Sequence, residues 1–433
     1  MSTITGLDYL LRPAADLSDV LPLMRPDAAS TLSADIFLER LARAEYRAEW
    51  TWTASDGGSG VLAVVVWWGS GSAEGSAPDA LDGIYVHESV ARADRAGLAA
   101  ALIAAGQAQF AVQYGLTTPP PEYHVFLPCG WRTDPSVTAA LGWRMDAVTR
   151  AGLTSLLERL RFEWRSPARV PARSGRLSFR VEPDDEVFVS LFARVLTGSL
   201  DASTTAAALA SGAQEAARED VAFYRDRMLG ERAWWRLAVD AAGSAVGFGI
   251  PSRNPAFPVV GYLGVVPEHR GHGYADDILA EITRILADEA GAEVIRADTD
   301  LANTPMAASL ERVGYRNFSR RLVFSAPLPL RPLTTGLPLR WAHPSRRTPL
   351  TAWRPHPTAT SLYARSSLYA RPSLQSDKSG IKATDWHTKT VSHTKPCPKC
   401  GSLGVVPGVV IWAGQAVLGC GGVLGGRIAR LRR

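Results

Sequence analysis

Between residues 234 and 325 the spacing of apolar positions changes several times, and each change marks an element. Residues 234–240 (WWRLAVD), 245–251 (AVGFGIP) and 259–266 (VVGYLGVV) are short runs rich in β-branched and aromatic residues, with the turn-forming AAGS between the first two. They predict an antiparallel meander. From Asp276 the period lengthens: Ile278, Ile282, Ile285 and Leu286 recur at helical spacing, Asp276 and Asp277 occupy the first turn, and Gly291 follows the last. A helix is predicted there. EVIRADT at 293–299 predicts a strand, PMAASLERVG at 305–314 a short helix ending at Gly314, and SRRLVFS at 319–325 a final strand. Residues 178–192 (SFRVEPDDEVFVSLF) add a strand and a helix ahead of the meander.

The first part of the chain is a weak copy of this pattern. LLRPAADLSDVLPLM at 10–24 resembles SFRVEPDDEVFVSLF and places Arg12 opposite Arg180; LGWRMDAV at 141–148 resembles VGYRNFSR at 313–320 and places Trp143 opposite Tyr315. The stretch RSPARVPARSG ending at Gly175 has no apolar periodicity and separates the copies. The predicted organisation is a domain over 1–165, a linker over 166–175, a second domain over 176–327, and a tail over 328–433. Each half is long enough for its own core.

Charge sharpens the last boundary. The 433 residues carry a formal net charge of +5. Residues 1–327, however, hold 31 Arg, no Lys and 40 Asp and Glu, whereas 328–433 hold 16 basic residues against Asp377 and Asp385. The body is acidic and the tail basic, so the positive total gives no reason to expect a nucleic-acid or membrane partner for the body. The tail is Pro/Arg-rich, repeats SLYAR within 361–371 and reads as disordered low complexity, with readthrough as one origin. Its Cys397-Pro-Lys-Cys400 is half a zinc knuckle, and the uncharged run 403–426 is interrupted by eight Gly and a Pro. Four Cys are too few for a disulfide framework, Cys129 reads as a small buried residue, and the N-terminus lacks a secretory pattern, so a cytoplasmic location is expected.

The candidate chemistry lies in GYLGVVPEHRGHGYA at 261–275, where an apolar strand runs through Arg270-Gly271-His272-Gly273 into a helix. Glycines allow positive φ and close approach, and the unpaired N–H groups of a helix start favour an anion. The loop lacks the Gly-Lys-Ser/Thr of a P-loop and the glycine spacing of the dinucleotide fingerprint.

This strand, loop and helix resemble motif A of the GNAT superfamily of N-acetyltransferases, Arg/Gln-x-x-Gly-x-Gly/Ala, with Arg270, Gly273 and Ala275 at its anchor positions. Asn303, the helix after it and Gly314-Tyr315 continue the resemblance downstream. It implies an α/β (α+β) fold of two GNAT-like domains, each a mixed, mostly antiparallel sheet flanked by helices. It also implies acetyl-CoA as cosubstrate. Val265 and Val266 would then meet the pantetheine arm and acyl group through their backbone, Arg270, Gly271, His272, Gly273, Tyr274 and Ala275 would cradle the phosphates, and Asn303 would order the loop, touch the cofactor or cap a helix. No metal is expected: His87, Glu88 and His124 show no recurring ligand spacing.

Acyl transfer needs the amine deprotonated, the carbonyl polarised and the leaving thiolate protonated. Many family members place a Tyr four residues before the Gly of Gly-Phe/Tyr as the acid; here that position is Leu310. Tyr315 and Tyr262 are the substitutes by chemistry. Asp298 and Asp300 are the candidate bases at a strand end, and Glu268 reads as a solvated loop carboxylate. In the first half, YVHESVARADRAG replaces the loop, so that half is expected to be degenerate and to form part of the amine-side wall. The resulting expectation is a monomeric or homodimeric N-acetyltransferase acting on a primary amine of a small molecule or peptide. The alternative is a non-catalytic acetyl-CoA sensor or scaffold.

Overall fold

The structure is a computed structural model that describes residues 2–327 apart from 5–6, 58–59, 70–74 and 116–118. The Cys397–Cys400 pair, the uncharged run 403–426 and the disorder expected of the tail lie outside the described residues.

The first half comprises β1 (Ser2–Ile4), β2 (Leu7–Pro13), α1 (Ala34–Leu41), β3 (Thr51–Ser55), β4 (Val61–Trp68), β5 (Ala80–Val86), α2 (Arg92–Gln113), β6 (Glu122–Leu127), α3 (Pro135–Arg150) and β7 (Ser155–Arg165). The second comprises β8 (Ser178–Arg180), α4 (Asp185–Val195), α5 (Ala202–Ser211), α6 (Ala213–Asp226), β9 (Arg236–Val239), β10 (Ala245–Arg253), β11 (Pro258–Val265), α7 (Tyr274–Arg284), β12 (Val294–Asp300), α8 (Thr304–Arg312) and β13 (Arg316–Ser325). Local chemistry sets the helix starts: Asp184, Asp201 and Asn303 each accept a first-turn N–H of α4, α5 and α8, and Asp134 precedes Pro135 at the start of α3.

All strands join one mixed sheet in the order β1-β2-β3-β4-β5-β6-β13-β7-β12-β11-β10-β9-β8. The meander β9-β10-β11 is antiparallel, as the sequence predicts. At the centre the last strand of each half is exchanged. β13 pairs with β6 of the first half, β7 pairs with β12 of the second, and β7 and β13 pair with each other, all antiparallel. The cores follow the exchange. Phe162 and Trp164 of β7 pack with Ile278, Ile282, Leu310 and Tyr315, while Leu322 and Phe324 of β13 pack with Trp67, Leu102 and Phe110. The linker at 166–175 therefore divides the sequence but not the sheet, and no compact-unit boundary falls there.

Three expectations change. LGWRMDAV lies inside α3, so Trp143 is not the counterpart of Tyr315; that place belongs to Leu153, after Gly152 (φ +95°), as Tyr315 follows Gly314 (φ +100°), each glycine ending a helix just before an exchanged strand. The segment between β8 and β9 holds three helices instead of one. Cys129 is exposed, its thiol 3.1 Å from Asn317 Oδ1, because it sits on the turn after β6.

Candidate active site

β11 and β12 run parallel but share only one register pair, Val259↔Arg296. Beyond it they part, while β11 stays paired with β10 on its other edge as far as Gly247↔Val265. The gap opens a cavity of about 630 Å3, lined on one side by Val260 to Val265 and on the other by Ala297, Asp298 and Thr299. Backbone groups on the parted edge of β11 thus face the cavity without a strand partner.

The loop after β11 closes one end. A single 3-10 turn at Pro267–His269 leads to Arg270, and Gly271 (φ +82°) and Gly273 (φ +75°) hold left-handed conformations that L side chains adopt only under strain. A Cβ on Gly271 would meet nothing within 4 Å, so it is conformation, not crowding, that requires glycine there. Gly273 is the N-cap of α7 and provides no side-chain cap, leaving first-turn N–H groups for a ligand. Asp276 and Asp277 in that turn would repel an anion, but each is engaged: Asp276 by Arg312 (2.7 and 2.8 Å) and Ser309 (2.6 Å), Asp277 by Arg176. The Arg312 hydrogen bond holds the Asp276 carboxyl below its ordinary range.

Of the residues predicted to hold the cofactor, Val265, Arg270, Gly271, Gly273, Tyr274, Ala275 and Asn303 line this cavity. Val266 is fully buried in the core and His272 lies on the exposed side of the loop; neither is among the lining residues. Arg270 is committed elsewhere. Its guanidinium donates to the carbonyls of Val195 (2.7 Å), Thr197 (2.7 Å), Gly198 (3.2 Å) and Val265 (3.1 Å), tying the loop to the C-terminal end of α4. Asn303 caps α8 through Met306 N–H.

The catalytic candidates fare differently. Tyr315 is 2% exposed, does not line the cavity, and shares a 2.8 Å hydrogen bond with Thr283; it is a core residue, and burial pushes its hydroxyl pKa up. Asp300 is 2% exposed, accepts Ala202 N–H (2.7 Å) and lies 2.9 Å from Arg159 Nε, so it is a buried structural carboxylate outside the lining; burial pushes its pKa up. Asp298 does line the cavity, but its oxygens lie 3.4 Å from Arg161 Nε and 3.5 Å from Arg321 Nη1, between two guanidiniums. Burial pulls Arg321 down to about 9. Leu310, at the position of the missing Tyr, lines the cavity and is 1% exposed. Glu268 is exposed and paired with Arg194.

The opposite wall comes from a part of the second half that periodicity did not resolve. Gly198, Ser199, Leu200, Asp201, Ser203 and Thr204 line the cavity, joined by Asp220 and Tyr224 of α6 and Tyr262 of β11. The Tyr262 ring stacks on Phe248 and packs on Phe192, and burial raises its hydroxyl pKa against hydrogen bonds from Thr204 and Ser199. The Tyr224 hydroxyl donates to Gly261 O at 2.8 Å. Among the described residues none from 1–165 lines the cavity, which overturns the expectation that the first half forms the amine-side wall. The described residues likewise contain no group of three or more His, Cys, Asp or Glu arranged to hold a metal ion.

Residues 181–316 match the family described as an acetyltransferase (GNAT) domain. No curated protein matches the chain in sequence. Among solved structures, a GCN5-related N-acetyltransferase from Sphaerobacter thermophilus is 15% identical with a TM-score of 0.45, over 73% of this chain and 95% of its own. A tandem GNAT protein from the clavulanic acid biosynthesis pathway is 17% identical with a TM-score of 0.40, over 74% and 99%. A GNAT-family acetyltransferase from Colwellia psychrerythraea is 11% identical with a TM-score of 0.38, over 73% and 100%.

Proposed function

We propose that this chain, whose residues 181–316 form an acetyltransferase domain of the GNAT family, moves an acetyl group from acetyl-CoA to a primary amine of a small molecule or peptide. One observation carries the proposal: the parting of β11 from β12 and the bare N-terminus of α7 open into the same cavity. An extended chain ending in phosphates matches that shape, with an unpaired strand edge for the arm and a glycine loop for the anion.

Acetyl-CoA supplies the activated acetyl group as a thioester. The loop from Gly271 to Ala275 receives the pyrophosphate through backbone N–H groups, and Arg270 keeps that loop in place from behind. The parted edge of β11 near Val265 orients the arm and offers N–H donors to developing negative charge on the carbonyl oxygen. Asp201 and Asp220 line the cavity, which favours an acceptor that arrives as an ammonium ion. Tyr262 is protonated at neutral pH, as a tyrosine ordinarily is, and burial raises it further, so it positions the amine by hydrogen bonding and does not act as its base. The amine gives its proton to water, the C–S bond breaks as the C–N bond forms, and the CoA thiolate leaves to take a proton from water, so rate arises chiefly from holding the two reactants together.

Calorimetric titration of the full chain with acetyl-CoA tests the binding, and thiol release with a panel of primary amines tests the transfer. Leu310 favours a second reading, an acetyl-CoA-binding sensor: a hydrocarbon at the usual acid position cannot protonate a leaving thiolate. Saturable binding without thiol release for any amine would select it.

A further inference from the structure

The cavity wall at 198–204 is a loop and the first turn of α5, and its own bonds are all short-range: Ser199 N–H to Leu196 O, Asp201 N–H to Ser199 Oγ, Asp201 capping Thr204 N–H, and the Thr204 hydroxyl to Asp201 O. It is fastened from beneath by two buried side chains. Asp300 Oδ2 accepts Ala202 N–H at 2.7 Å, and Asp300 Oδ1 lies 2.9 Å from Arg159 Nε. Arg159 in turn donates from Nη2 to Ser203 Oγ at 2.8 Å, with Asp201 Oδ2 at 3.7 Å. Arg159 is fully buried and stands directly across from Asp300 in the β7–β12 ladder. It therefore touches three parts of the wall's footing at once: the carboxylate that holds Ala202, the Ser203 hydroxyl and the Asp201 cap.

Arg159 belongs to the first half. It reaches the second half's cavity only because β7 is exchanged into that sheet, and it does so without lining the cavity. We propose that Arg159 is the positioning residue of the amine site, and that the first half serves the reaction by inserting this guanidinium under residues 198–204. The inference rests on the acetyltransferase reading above. A planar fork with several fixed donors can join Asp300, Ser203 and Asp201 together, which a lysine ammonium cannot do with the same geometry. The acetyl-CoA loop hangs chiefly from a different anchor, Arg270, which meets the wall at its first residue through the Gly198 carbonyl at 3.2 Å.

The test uses the full chain and Arg159→Met, which keeps the stem and the β7 ladder but removes the donors. Deuterium exchange of peptides covering 198–204 is expected to speed up about tenfold or more, while peptides covering 270–275 stay within about twofold. Acetyl-CoA affinity is expected to be unchanged. With 1,4-diaminobutane and phenethylamine as acceptor probes, KM for the better amine should rise about tenfold and kcat fall by less, the pattern of lost acceptor placement. Because Arg159→Met strands the buried Asp300, the double variant Arg159→Met/Asp300→Asn relieves that charge. It should recover thermal stability but keep the raised amine KM. Unchanged exchange at 198–204, or an amine KM restored in the double variant, overturns the proposal. Failure of the unaltered chain to bind acetyl-CoA would instead sink the acetyltransferase reading.

Discussion

The Arg270 guanidinium lies 2.7 Å from the carbonyl oxygen of Val195, the last residue of α4, although the two are separated by a strand meander and two helices in sequence. The motif's most recognisable charge is thus spent on the protein's own backbone. Replacing it frees four carbonyls, those of Val195 and Val265 part-buried and those of Thr197 and Gly198 exposed, and unties the loop. Arg270→Ala should cost about 1–3 kcal/mol of stability and weaken acetyl-CoA binding, with Arg270→Lys only partly restoring either. Denaturant titration beside calorimetry would check both; full acetyl-CoA affinity in the alanine variant would show that the loop holds its shape unaided.

The glycines and His272 should separate cleanly. Gly271→Glu with Gly273→Glu strains two left-handed positions and places carboxylates against the helix start, so acetyl-CoA binding should be lost. His272→Ala, on the exposed side of the same loop, should bind within about twofold of the unaltered chain, since its backbone contributes and its ring does not. Calorimetry on both variants decides it.

Tyr315 and Leu310 give opposed expectations. Tyr315→Phe removes only the hydrogen bond to Thr283 and should cost about 0.5–1.5 kcal/mol, leaving thiol release within about twofold. Leu310→Tyr should add a proton donor to the cavity, raising thiol release by about tenfold or more at an overpacking cost of about 1–3 kcal/mol. A large rate loss in Tyr315→Phe would return that residue to the catalytic list.

His124 sets a pH limit on stability. It is buried in β6, and burial, with Arg321 and Arg159 nearby, lowers its pKa, against the hydrogen bond and charge of Glu122. A base whose folded pKa lies below its unfolded value of about 6.5 binds more protons when unfolded, so its contribution is complete above about pH 6.5 and is lost as the pH falls below that. Melting temperature should decline with acidification in that window, and His124→Gln should flatten the decline. An equal slope in the variant would assign the acid sensitivity to other groups.

The meander, α7 and the glycine loop were legible because each depends on local spacing: Ile278, Ile282 and Ile285 lie one helical face apart whatever the rest of the chain does. The exchange of β7 and β13 was not, because a strand's period says which face is apolar and nothing about its neighbour. Arg159, Arg161 and Glu163 alternate with Leu160, Phe162 and Trp164, a pattern that reads as a solvated face; the structure buries both sides, with carboxylates of β12 meeting the arginines. Trp143 misled because a Gly-aromatic-Arg triplet recurs within α3. The helices α5 and α6 escaped because ASTTAAALAS and AQEAAREDVAFYRD carry few large apolar residues, and those helices hold Ser203 and Asp220 of the amine side.

The reciprocal placement of β7 and β13 turns a single chain into the equivalent of a pair of clasped subunits. Each half lends its last strand to the other and borrows one in return, so neither owns a complete core: without β7 the second half would expose Ile282 and Leu310, and without β13 the first would expose Trp67 and Phe110. Excising residues 176–327 as a free-standing catalyst should therefore yield an insoluble fragment. Fragments 1–165 and 166–327 made together should knit into a working whole, because the covalent link between them crosses a stretch that contributes little to either core.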